Sequence, residues 1–139
     1  MMMMFMEFSA GVHVLEAEGA RAVLGALSAD GARVFEVDTG GLTDKASIIR
    51  AFGEVVPLDP PPVYARSWDA FDDSLWEGLR LLGQERIALA VYGEFWVNEP
   101  FGAVQDALDV LGHVVKLLGD ERATVGAPVA LCVFLVAAG

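Results

Sequence analysis

Residues 60–82, PPPVYARSWDAFDDSLWEGLRLL, decide how the rest of the chain is interpreted. Three consecutive prolines hold the approach extended, because proline fixes φ and disfavours helical geometry at the residue before it. Ser67 follows them and is a suitable N-cap, since its hydroxyl can accept a hydrogen bond from an amide of the first turn. The sequence therefore predicts a helix that begins directly after Ser67.

The predicted helix has an apolar face and an acidic face. At about 100° per residue, five apolar side chains share one arc and should face the core: Trp68, Phe71, Leu75, Leu79 and Leu82. The other arc holds the polar residues and one aromatic: Asp69, Asp72, Asp73, Trp76, Glu77 and Arg80. A solvated face is the simplest explanation of such a row. However, like charges four residues apart, such as Asp73 and Glu77, destabilise a helix slightly, and both lie beyond the reach of the helix dipole. We therefore interpret this arc, with an exposed Trp76, as a face that docks onto a basic protein.

The segment from Tyr64 to Leu75, YARSWDAFDDSL, resembles the signature of a known family. It is similar to the barstar family, intracellular protein inhibitors of ribonucleases, whose signature reads approximately Y-[FY]-G-x-N-[LW]-D-A-[LF]-x-D-x-L. The order of elements agrees from about Ala32 to the C-terminus. The resemblance implies an α/β fold in which a small parallel sheet of three core strands packs with helices. We expect one barstar-like domain over residues 1–139, with its core at 32–139 and a short N-terminal strand and helix extension at 1–31.

The resemblance also implies a binding site. By position, Asp69 and Asp73 match the family's two acidic residues on the binding helix, and Tyr64 matches an aromatic residue of the binding loop. In the family, the counterpart of Asp73 occupies the place of a substrate phosphate in the ribonuclease active site. The implied inhibition is competitive, because carboxylates and phosphates bind the same arginine and lysine side chains.

Three residues depart from the family pattern. Ala65 stands where glycine is usual, Ser67 where asparagine is usual, and Asp72 where several members have an aromatic residue. Serine still caps a helix, but alanine does not tolerate positive φ as glycine does, so the loop contacts are not carried over. Trp76, one turn after Asp72, is a candidate replacement for the missing aromatic residue.

Composition limits the class of protein. The chain has 139 residues, 55% of them hydrophobic, with a mean hydropathy of +0.48, which is typical of a single globular domain. Nine lysines and arginines against twenty acids give a net charge of −11, which repels nucleic acid and favours a basic partner. The single cysteine, Cys132, excludes an intrachain disulfide and indicates a reducing compartment. The first eight residues, MMMMFMEF, lack the positive charge of a signal peptide, so we expect a cytoplasmic protein.

Apolar periodicity predicts further strands and helices outside residues 60–82. Strands are predicted at 12–17, 33–37, 86–92 and 129–136, and a short helix at 20–27. A longer helix should be capped by Thr43 and bury five side chains: Ile48, Ile49, Phe52, Val55 and Val56. Strands that alternate with helices indicate a parallel sheet joined by right-handed crossovers.

The last predicted helix covers residues 101–118. Its buried face should hold Val104, Leu108, Leu111, Val115 and Leu118. Its solvated face should hold Gln105, Asp106, Asp109, His113 and Lys116. The barstar family places a further acidic contact on this helix, for which Asp106 and Asp109 are both candidates. In the loop before the helix, Trp96 is expected to pack beneath the loop.

The leading hypothesis is a barstar-type inhibitor that covers the active site of a basic ribonuclease. Its predicted contact residues are Tyr64, Ser67, Asp69, Asp72, Asp73, Trp76 and Glu77. Asp69 and Asp73 should pair with cations, while Tyr64 and Trp76 should bury ring area. Asp72 and Glu77 should mainly steer the encounter. No cofactor, metal, nucleic acid or membrane is expected as a partner, and the free protein is expected to be monomeric.

Two alternatives stay open. The same fold could bind a basic toxin that is not a ribonuclease, as an antitoxin or immunity protein, or another regulatory target. A small enzyme could instead use Asp69, Asp72 and Asp73 for acid–base chemistry or to bind magnesium. The absence of a nucleophile with an adjacent base in the sequence weighs against the enzyme.

Overall fold

The protein is described by a computed structural model that covers residues 9–61 and 67–137. It confirms the α/β class: four parallel strands form one sheet in the order β1-β4-β3-β2. The strands are β1 Gly11–Leu15, β2 Arg33–Asp38, β3 Arg86–Tyr92 and β4 Ala130–Val136. The helices are α1 Ala17–Ala29, α2 Lys45–Val55, α3 Trp68–Arg80 and α4 Gly102–Leu118, with a short 3-10 turn at Glu94–Trp96. The predicted N-terminal strand is thus an integral fourth strand, paired with β4.

The two faces of the sheet are covered unequally. Helices α2, α3 and α4 pack on one face, where they enclose the larger core cluster together with alternate residues of β2, β3 and β4. Helix α1 packs on the opposite face, above the small side chains Ala88 and Ala90 of β3 and above Phe134 of β4. The central strands β3 and β4 are therefore buried on both sides, which explains why their sequences are continuous apolar runs.

Most predicted element boundaries agree with the structure to within one residue, but the N-terminal strand ends at Leu15 instead of residue 17, and α1 is longer than the predicted range 20–27. Two further details are wrong. Asp44, not Thr43, caps α2: its carboxylate accepts a hydrogen bond from the Ser47 amide at 3.1 Å. Hydrogen bonding from the Ser47 side chain, and then from its backbone amide, lowers the pKa of Asp44. Val55, the last residue of α2, is 40% exposed instead of buried, and Ala51 is buried further up the helix. Trp96 is 1% exposed, which confirms that it packs beneath its loop.

Helix α3 runs antiparallel to the strands. It ends at Arg80 and β3 begins at Arg86, so its C-terminus lies near the start of β3 and its N-terminus points towards the carboxyl ends of the strands. The Ser67 hydroxyl accepts a hydrogen bond from the Ala70 amide at 3.2 Å, which confirms the predicted N-cap. Phe71, Leu75 and Leu79 are fully buried, as the periodicity predicts.

The segment before α3 is attached along the helix. The Asp59 amide donates to the carbonyl oxygen of Ser74 at 3.1 Å, and the Ser74 hydroxyl donates to the carbonyl oxygen of Pro60 at 2.6 Å. Gly78 allows this approach, because a Cβ at that position would lie only 1.7 Å from the Pro57 carbonyl oxygen. The chain that leads towards Ser67 is thereby fixed against α3. Within the described residues, no helix combines the length and apolarity needed to cross a membrane.

Candidate protein-docking face

Asp69 and Asp73 are the two carboxylates of α3 for which the described part of the chain supplies no partner. Both side chains are exposed, and they lie one turn apart on the same side of the helix. Neither makes a hydrogen bond or ion pair within the described ranges 9–61 and 67–137. Asp69 lies in the first turn, where the helix dipole stabilises its charge, but Asp73 is beyond that turn. Both carboxylates are available to an external cation.

Asp72 is engaged between α3 and α4. Its Oδ2 lies 2.6 Å from Nδ1 of His113, and only 17% of its side chain is exposed, against 54% for His113. His113 is therefore solvent-facing, as predicted, but it also forms a contact that the prediction missed. Periodicity describes each helix separately, so no sequence signal pointed to this pair. The contact links the acidic side of α3 to α4, on which α3 packs.

Glu77, Trp76 and Arg80 form a second internal group. The Nε of Arg80 donates to Oε1 of Glu77 at 2.7 Å, and its Nη2 also contacts that oxygen. The guanidinium carbon of Arg80 lies 5.8 Å from the centre of the Trp76 ring. The expectation of an exposed Trp76 is wrong: the ring is partly buried and packs against the core. Trp76 follows Leu75 by one residue, about 100° round the helix, which places it at the border of the buried arc.

Helix α4 carries further acids beside this group. Asp106 and Asp109 are exposed and precede His113 by seven and four residues, so all three share one side of α4. Asp109 accepts a hydrogen bond from the Gln105 side chain at 3.0 Å, which leaves its charge unneutralised. We define the docking face as Asp69, Asp72 and Asp73 of α3 with Asp106, Asp109 and His113 of α4. Because His113 bridges the helices, the face continues from one to the other.

Tyr64 and Ser67 were also predicted to contact the partner, but they are not included in the docking face. Tyr64 lies outside the described residues, together with Ala65. Ser67 is described, and its hydroxyl is used as the N-cap of α3. Tyr64 therefore stays a prediction, while the role of Ser67 that the structure displays is to start the helix.

Metal-binding geometry is not found on this face. Among the residues that the structure describes, no group of three or more His, Cys, Asp or Glu side chains is arranged to hold a metal ion. The cluster Asp69, Asp72 and Asp73 is adjacent in sequence, but its middle carboxylate is directed to His113.

A separate polar pair lies on the other side of the sheet. Tyr92 donates its hydroxyl to Oε1 of Glu36 at 2.5 Å, and both side chains line a groove between α1 and β2. Burial, and then the hydrogen bond to Glu36, raise the pKa of Tyr92 to about 12. This pair is remote from the docking face, because it lies on the face of the sheet that α1 covers.

Comparison of the chain with protein-family models, curated proteins and solved structures finds no match. Two features of the chain bear on its function: the docking face, and the resemblance of the Tyr64–Leu75 segment to the barstar signature. The two are independent, since the signature concerns residue order and the docking face concerns exposure and contacts. They coincide at Asp69 and Asp73.

Proposed function

We propose that this protein is a barstar-type inhibitor that binds a basic ribonuclease through its docking face and blocks the active site. One observation carries the proposal: of the four acids on α3, Asp69 and Asp73 are the two without a side-chain partner among the described residues, and these are the two that match the binding acids of the family. The net charge of −11 supports a basic partner, because it accelerates encounter with a positive surface.

The mechanism follows from the spacing of the two carboxylates. Residues four apart on a helix have Cβ atoms about 6 Å from each other, so Asp69 and Asp73 can bind two neighbouring cations of one site. A ribonuclease active site holds such cations for the phosphates of RNA, and carboxylates form strong charge-assisted hydrogen bonds with them. The inhibitor and the RNA then compete for the same groups.

Other residues act indirectly in this proposal. Asp72 and Glu77 are held by His113 and Arg80, so they contribute to the field that steers the partner more than to direct pairing. Asp106 and Asp109 extend that field onto α4. The partly buried ring of Trp76 offers an edge for contact, and Tyr64 is the proposed aromatic contact of the loop.

Inhibition of RNA cleavage by small basic ribonucleases tests the proposal. Initial rates are measured against inhibitor concentration at several RNA concentrations, with the unmodified protein and with Asp69→Asn/Asp73→Asn. The unmodified protein should inhibit competitively, and the double variant should be weaker by orders of magnitude. The matched control is Glu54→Gln/Glu85→Gln, which removes two exposed acids elsewhere and changes the net charge equally.

The outcomes separate the site from the overall charge. Equal weakening by both double variants would show that net charge, not the docking face, gives the affinity. Tight binding to a basic protein without ribonuclease activity, lost in Asp69→Asn/Asp73→Asn, would keep the docking face and overturn the inhibitor function.

A further inference from the structure

Among the described residues, strand β1 forms an edge of the sheet. In the described part of the chain it pairs with β4 on one side and with no strand on the other. Its sequence, GVHVL, contains neither a charged residue nor proline, the usual means of preventing edge-to-edge pairing. Val12 and Val14 are 42% and 60% exposed. Both side chains lie on the same face of the sheet, as do their register partners Val133 and Leu135.

The backbone groups at this edge can be assigned. The Ala137 amide donates to the carbonyl oxygen of Leu15 at 3.4 Å, so the hydrogen-bonding groups of Leu15 face β4. Alternate residues of a strand face the same neighbour, so Gly11 and His13 face β4 as well. The N–H and C=O groups of Val12 and Val14 therefore point to the open side. Within the described residues, the two valines with exposed apolar side chains are therefore also those whose backbone groups have no strand partner.

We propose that β1 pairs antiparallel with β1 of a second copy of this chain. If His13 lies opposite His13 of the second copy, Val12 lies opposite Val14, and Val14 opposite Val12. Both are positions where opposed residues exchange two N–H···O bonds, so this register satisfies all the free groups of Val12 and Val14. The valines of the two copies then form one cluster on the same face, and such cross-strand pairs of β-branched residues stabilise a sheet.

Size and charge make this a weak dimer. The strand contributes five residues, fewer than the roughly 20–30 residues per partner of a standard stable interface. Each copy carries a net charge of −11, so the two repel, and association should strengthen as salt screens that repulsion. We expect a dissociation constant in the range of about 10 µM to 1 mM. The dimer surface lies on the edge strand, apart from the docking face, so the inference does not depend on the proposed function.

Sedimentation equilibrium of two charge variants tests the pairing and its register. Val12→Lys/Val14→Lys places like charges opposite each other across the dimer, whereas Val12→Glu/Val14→Lys places opposite charges there. The first should raise the dissociation constant at least about tenfold above that of the second. Net charge works against this result, because the first variant is the less negative, so a weaker dimer would be attributable to the local contacts.

A control variant separates the effect of the strand edge from that of an added charge. Val55→Lys, at a similarly exposed valine on α2, should leave the dissociation constant unchanged. Circular dichroism melting confirms that each variant is folded. An unmodified protein that stays monomeric up to about 1 mM overturns the proposal, as does unchanged dimerisation of Val12→Lys/Val14→Lys. Equal weakening of both charge variants overturns the antiparallel register.

Discussion

Gly78 is where α3 meets the chain that precedes it, and Gly78→Ala should destabilise the fold. The added Cβ would lie 1.7 Å from the carbonyl oxygen of Pro57 and 2.8 Å from its carbonyl carbon. Both are backbone atoms, so a change of side-chain rotamer cannot relieve the clash. Displacement of the segment would loosen the hydrogen bonds that Ser74 makes with Asp59 and Pro60.

The expected magnitude is a balance of three effects. Alanine is intrinsically better than glycine in a helix by about 1 kcal/mol. Overpacking of a tightly packed site costs about 1–3 kcal/mol, and loosening each of the two hydrogen bonds costs about 0.5–1.5 kcal/mol. The balance is a loss of about 1–5 kcal/mol in the free energy of unfolding, with a midpoint of about 3 kcal/mol, which corresponds to about 10 °C in Tm for a domain of this size.

Urea denaturation followed by circular dichroism measures this difference, with Gly25→Ala as the matched control. Gly25 lies in the interior of α1, and a Cβ there would meet no atom within 4 Å, so that variant should gain up to about 1 kcal/mol. The two alanine variants should thus shift the free energy of unfolding in opposite directions. If Gly78→Ala were as stabilising as Gly25→Ala, the close approach of Pro57 to α3 would be refuted.

Three further perturbations have defined outcomes. Asp73→Ala should leave the free energy of unfolding unchanged or raise it by about 0.5–1 kcal/mol, because it removes i,i+4 repulsion and adds a better helix former, while it weakens ribonuclease inhibition by orders of magnitude. A marked loss of stability in urea would instead assign that carboxylate a structural role. A double-mutant cycle of Asp72→Asn and His113→Gln should give a coupling of about 0.5 kcal/mol, the usual value for an exposed pair, and zero coupling would mean that the α3–α4 contact contributes nothing. Tyrosinate absorbance should show Tyr92 ionising near pH 12, and Glu36→Gln should lower that midpoint because it replaces a charged acceptor with a neutral one. Because the folded pKa is raised, the stabilisation from this hydrogen bond is complete below pH 10 and lost as pH rises through about 12. A midpoint near 10 would contradict the contact.

Elements with a strong apolar pattern could be predicted from the sequence. Strands β3 and β4 are continuous apolar runs because both of their faces are covered, and α3 has a capping serine before a helical period. The cap of α2 could not be decided in advance, since Thr43 and Asp44 are adjacent and both can accept the amide bond. Asp44 is the cap because the helix begins at Lys45, which the structure shows and the sequence does not.

Contacts between elements were the less predictable part of the site. Trp76 was expected to be exposed, but it lies at the border of the buried arc. Helical periodicity gives the position of a residue around the helix axis but does not give how deeply its side chain is buried. The contact of His113 with Asp72 depends on how α4 packs on α3, which no residue pattern records. Gly78 is different, because an unexplained glycine inside a helix is itself a signal of a close backbone approach.

The distribution of partners on α3 is the strongest physical argument for the docking face. A helix shaped only for stability would neutralise its acids or space them apart, since like charges four residues apart are unfavourable. On α3, Asp72 has His113 and Glu77 has Arg80, whereas Asp69 and Asp73 repel each other and have no cationic partner in the described ranges 9–61 and 67–137. The opposite side of the same helix is fixed by the core and by the Ser74 hydrogen bonds, so the backbone positions of Asp69 and Asp73 are fixed relative to the core. Their repulsion is relieved when a cation binds both, which makes the arrangement unfavourable in the free protein and favourable in a complex with a basic partner.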